Sequence, residues 1–95
     1  MIDNIFKEVL SEMGLMKYKS QIMRSRGSSI MSNAKALTFY ILSDKYSIAE
    51  IAKYFNMNRA SIYYAIKSIR NTIEQDEVYE IWLIRITNKI KDKYG

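Results

Sequence analysis

The sequence predicts an all-α fold, a compact bundle of five to six helices containing a helix-turn-helix, in one domain spanning residues 1–95. Three observations lead there. Proline is absent and only three glycines interrupt the chain, too few turn formers for a sheet of many short strands. Apolar residues make up 48% of the sequence and recur at three- and four-residue spacing, the period of a helix with one buried face. Ninety-five residues supply one modest core and not two.

The elements follow in order. Ile2, Ile5, Phe6, Val9, Leu10 and Met13 mark a first helix that Asp3 can cap and that Gly14, suited to the left-handed region, can end. Leu15, Tyr18 and Ile22 are spaced for a short second helix. Residues 24–29 form a basic loop. Ser28 or Ser29 then caps a helix reaching about Ser43, with Ile30, Ala34, Leu37 and Ile41 on one stripe and Phe39, Tyr40 and Leu42 widening it. Asp44, Lys45 and Tyr46 connect to Ser47, which caps a helix from Ile48 to Phe55. Asn56 and Met57 make a tight turn, and Asn58 caps a helix whose inward stripe is Ile62, Ala65, Ile66, Ile69 and Ile73. Residues 71–75 end that run. Asp76 caps a last helix to about Lys93, with acids in its first turn and lysines in its last, each opposing the helix dipole. Its residues Tyr79, Leu83, Ile86 and Ile90 form one apolar face, and Val78, Ile81, Trp82 and Ile84 occupy much of the rest. Either the domain surrounds this helix, or part of it meets a second copy and the protein is a homodimer through its C-terminal helix.

Composition removes several functional classes. Cysteine and histidine are both absent, which excludes disulfides, the usual zinc sites and Ser/His or Cys/His nucleophilic chemistry. The remaining acids, Asp44, Glu50 and those of residues 74–80, show no paired arrangement with a base, so no enzyme, cofactor or metal site is expected. No apolar run reaches the roughly 20 residues that span a bilayer, and the first residues lack the pattern of a signal peptide; a cytoplasmic protein with no membrane partner is the expectation.

Charge points to a partner. The net charge is +5, but residues 17–70 hold ten basic residues against Asp44 and Glu50, a net of +8, while both flanks are mildly acidic. A concentrated positive field on a small domain suits a polyphosphate, through direct attraction and release of condensed counterions.

The run from Ser47 to Ile66 has the residue types that a helix-turn-helix needs, the motif extending over residues 47–70. Ala52 is small where a second helix must cross close to the first. Ile51 and Phe55 fill the space between the helices, Met57 plugs the turn, and Ile62, Ala65 and Ile66 seat the second helix. Asn56 occupies the turn position that calls for positive φ, where asparagine is the next best residue after glycine. With that stripe inward, Ala60, Tyr64, Lys67 and Asn71 face out, with Arg59 and Ser61 in the first turn and Tyr63 on the flank. Arg59 suits guanine O6 and N7 or a phosphate, Tyr64 a base or backbone acceptor, Ala60 a thymine methyl, and Lys67 a phosphate. Ser47 and Asn58, at helix N-termini, and Arg24 and Arg26, in the basic loop, complete the candidate contacts to double-stranded DNA.

From about Arg24 to Ile90 the chain resembles the C-terminal DNA-binding domain of the replication initiator DnaA, a Trp-repressor-like helix-turn-helix. The likeness lies in Arg24-Ser-Arg26, the helix with Ala36, Leu37 and Phe39, then Ser47-Ile-Ala-Glu-Ile-Ala-Lys-Tyr-Phe55 and Ser61-Ile-Tyr-Tyr-Ala-Ile-Lys-Ser-Ile69. The family's signature stands here, one residue shorter, as Asn56-Met-Asn-Arg-Ala-Ser61. The resemblance implies a minor-groove role for Arg24 and Arg26, and major-groove reading by Asn58, Arg59, Ala60, Ser61 and Lys67. It implies work in replication or transcription control. The competing expectation is a helical interaction or assembly module that does not bind DNA.

Overall fold

The computed structural model describes residues 1–24 and 29–95, and every regular element among them is helical. The centre is α3 (Ser29–Leu42), in which each residue from Ala34 to Phe39 is buried. A helix buried on so many sides must satisfy its polar side chains internally. Thr38 does so by donating to the Ala34 carbonyl at 2.9 Å, and Lys35 by donating to the Met23 carbonyl at 3.2 Å.

Around it pack α1 (Ile2–Met13), α2 (Lys19–Arg24), α4 (Ile48–Phe55), α5 (Arg59–Gln75) and α6 (Glu77–Tyr94). α1 lies between α3 and α6, burying Ile5, Phe6, Val9, Leu10 and Met13. Gly14 ends it in the left-handed region at φ 72°, where a side chain would be strained. α5 packs on α3, α4 and α6. Its 17 residues, about 25 Å of helix, cross nearly the full width of a body measuring 29 × 27 × 26 Å. No helix among the described residues is long and apolar enough to cross a membrane.

Several local expectations need correction. Asp3 does not cap α1; it lies in the first turn, where its carboxylate pairs with Lys7 and Lys19 and accepts from the Tyr54 hydroxyl. Residues 15–23 are not one helix, because a 3-10 turn at Met16–Tyr18 precedes α2. Arg24 and Ser29 are helical residues at the ends of α2 and α3; the rest of the expected basic loop, residues 25–28 with Arg26 and the alternative cap Ser28, falls outside the described residues. Ile30 is exposed, while Met31 is partly buried against the core and full burial of α3 begins at Ala34. Residues 71–75 form the last turn of α5, which ends at Gln75 as expected, with Ile73 of the inward stripe packed against the core. In α6, Tyr79, Ile86 and Ile90 are buried as expected, whereas Val78, Ile81 and Ile84 remain 46–51% exposed.

Candidate nucleic-acid interface

Three short-range devices shape the run from the start of α4 to the start of α5. Ser47 and Glu50 form a reciprocal capping box: the Ser47 hydroxyl accepts from the Glu50 N–H at 3.1 Å, and the Glu50 carboxylate accepts from the Ser47 N–H at 3.3 Å. Asn56 ends α4 in the left-handed region at φ 53°, the single non-glycine residue at positive φ among those described, which lets the Met57 N–H return to the Ala52 carbonyl at 2.9 Å. Asn58 then starts α5, its side-chain oxygen accepting from the Ser61 N–H at 2.7 Å.

Packing holds the joint in place. Ile51, Ala52 and Phe55 of α4 and Ile62, Ile66 and Ile69 of α5 are buried in one core, with Met57 and Ala65 partly buried against it. Phe55 is the keystone. Its ring meets Phe6 of α1 edge-on at 5.3 Å and Phe39 of α3 at 4.9 Å, fixing α4 to two other helices.

With that stripe inward, the opposite face of α5 presents Arg59, Ala60, Lys67 and Asn71 to solvent, with Tyr63 and Tyr64 exposed at 56% and 66%. The two tyrosine rings lie edge-on, 5.8 Å apart, so each restricts the other's rotamers. Arg70 extends the same surface, its guanidinium 6.0 Å from the Tyr40 ring. Two expected contacts sit differently. The Ser47 hydroxyl is committed to its cap, 3.0 Å from the Glu50 carboxylate, which places negative charge there. Arg24 is exposed at the end of α2, its Nε donating to the Ser20 carbonyl at 3.4 Å.

Charge is distributed unevenly over the molecule. Every ion pair among the described residues uses a carboxylate of α1: Asp3 with Lys7 and Lys19, Glu12 with Arg85 and Lys89, and Glu8 with Lys93. The Lys19 ammonium holds the Asp3 carboxyl below its ordinary pKa, and Lys89 does the same for Glu12, both against the opposing effect of burial. Desolvation, reinforced by Asp3, raises the Tyr54 phenol. α1 thus neutralises most of the cations of α6, whereas Lys53, Arg59, Lys67 and Arg70 have no carboxylate within ion-pair distance among the described residues.

Beside the exposed face, an open groove of about 390 Å³ runs between α3 and α5, and no carboxylate lines it among the described residues. The groove was not legible in the sequence; its one signal is Lys35, a lone charge within the most apolar stretch of α3. Comparison with known protein families, with curated proteins and with solved structures finds no match to this chain.

Proposed function

We propose that this protein binds double-stranded DNA, with α4, the turn at Asn56 and Met57, and α5 acting as a helix-turn-helix whose second helix enters the major groove. The observation that carries this reading is the division of α5 into two faces. Ile62, Ile66 and Ile69 anchor it in the core, while Arg59, Ala60, Tyr63, Tyr64 and Lys67 stand exposed together, and among the described residues no carboxylate lies within ion-pair distance of Arg59 or Lys67. Arginine and tyrosine donors on a rigid helix suit base edges, and lysine suits the flanking phosphates. Asn58 and Ser61 lie in the first turn, and Arg24 and Arg26 supply further positive charge for the backbone or minor groove. The central charge of +8 and the likeness to the DnaA C-terminal domain agree with a role in replication or transcription control, by binding and not by catalysis, in the cytoplasm.

Fluorescence anisotropy with a random-sequence duplex tests this. Micromolar or tighter binding at low salt, weakening steeply as salt is added, is expected; no binding, or binding indifferent to salt, refutes it. Replacing Arg59 and Lys67 together by alanine weakens binding by about 2–5 kcal/mol if both contact DNA.

A second reading has its own observation. Val78, Ile81 and Ile84 form an exposed apolar stripe on α6, of the kind that pairs two copies of a chain or docks another protein. A homodimer through α6 is compatible with DNA binding and gives two readers for a palindromic site. A dimer without DNA affinity makes the protein an assembly module. Light scattering over a concentration series, run beside the anisotropy, separates these cases.

A further inference from the structure

We propose that the exposed stripe of α6 pairs with the same stripe of a second copy in antiparallel orientation, an inference that rests on the reading of α6 as a dimer surface and is independent of DNA binding. At about 100° per residue, Ile81 stands at the middle of the exposed face, nearly opposite the buried Tyr79, Ile86 and Ile90. Val78 and Ile84, 50% and 51% exposed, lie to either side. Three apolar side chains alone do not choose between a copy of this chain and any other greasy surface. Charge makes the choice.

The first half of α6 is acidic, with Glu77 and Glu80 following the cap Asp76, and the second half is basic, with Arg85, Lys89, Lys91 and Lys93 against Asp92. α1 takes up Arg85, Lys89 and Lys93 through Glu12 and Glu8. Glu77, Glu80 and Lys91 are exposed and form no ion pair among the described residues; Asp44 lines a hollow with Lys91 but lies beyond ion-pair distance. These three fall on one flank of the stripe, the side of Ile84. A two-fold axis perpendicular to the helices reverses one α6 against the other and brings like flanks together, acid beside lysine. Placed midway between Ile81 and Ile84, the axis sets each Ile81 against the partner's Ile84. It also brings Glu77 within one turn, about 5.4 Å along the helix, of the partner's Lys91. A parallel pair instead lays acid on acid, which like-charge repulsion opposes.

The chain has no cysteine, so disulfide trapping reads the orientation directly. Glu77→Cys and Asn88→Cys proteins, mixed and oxidised together, should give a mixed cross-linked dimer, since the two positions face each other across this crossing, and neither should cross-link to itself. Light scattering over a concentration series should show a dimer that Glu77→Lys and Lys91→Glu each weaken about tenfold and that the double variant restores. Circular dichroism checks that each variant folds, and the trapping keeps the test decisive if a charge reversal does not. A dimer weakened by Ile81→Ser but indifferent to the charge reversals, or a Glu77→Cys protein that cross-links to itself, overturns the antiparallel pairing and leaves α6 as a dimer surface. A monomer throughout the series overturns both.

Discussion

Replacing Phe55 by alanine tests the packing on which the exposed face of α5 depends. The ring is 3% exposed and meets Phe6 and Phe39 edge-on at 5.3 and 4.9 Å. Truncating a buried phenylalanine costs about 3–5 kcal/mol through lost transfer energy and the cavity left behind. The two edge-on contacts, about 0.5–1.5 kcal/mol each, belong to three different helices that cannot all collapse into the space, which places the loss near the upper end. Against the roughly 5–15 kcal/mol typical of a whole domain, that removes a large share of the stability. At about 4–8 °C per kcal/mol for a domain of this size, Tm falls by 20 °C or more. Thermal and urea unfolding followed by far-ultraviolet circular dichroism measures it, with Phe55→Leu as the milder variant, expected to lose about 1–2 kcal/mol. A loss below about 1.5 kcal/mol for Phe55→Ala, at an unchanged urea m-value, refutes the assignment of this ring as the junction of α1, α3 and α4.

Other perturbations follow from single features. Asn56→Gly should leave stability within about 0.5 kcal/mol, whereas Asn56→Val, forcing a β-branched residue to positive φ, should cost about 1–2 kcal/mol in urea unfolding. Ser47→Ala breaks the capping box of α4 and should cost about 1 kcal/mol, measured in the same way. Acid should destabilise the protein: the Asp3 and Glu12 carboxyls bind protons less readily folded than unfolded, so their contribution is full above the ordinary carboxylate range and is lost as pH falls through their lowered pKa values. Glu12→Gln should flatten the acid limb of a Tm-against-pH curve; an unchanged limb counts against the role of this cluster. Replacing Ile81 and Ile84 by serine should leave Tm nearly unchanged, because both are half exposed, and should abolish any dimer seen by light scattering.

Much of the fold was legible because its signals are local. Ser47 and Asn58 cap as expected since a short oxygen three residues before an orphan N–H has little else to do, and Asn56 takes positive φ because the turn leaves no alternative. The inward stripe of α5 followed from its period. Long-range choices were hidden. Asp3 was a plausible cap by position, but Lys19 and Tyr54 arrive from sixteen and fifty-one residues away and take its carboxylate instead. The exposed face of α5 could be drawn from a helical wheel, whereas the groove beside it needs the crossing of α5 on α3, which no spacing within one helix encodes.

The pairing of α1 with α6 has a consequence for how the molecule assembles. Glu8 meets Lys93 at 2.6 Å and Glu12 meets Lys89 at 2.7 Å, partners separated by nearly the whole chain. During synthesis the first helix therefore waits for the last, its apolar stripe only partly sheltered by α3 until some eighty residues more have emerged. A chain truncated before α6 should leave the apolar stripe of α1 uncovered on that side, open to chaperones or to aggregation.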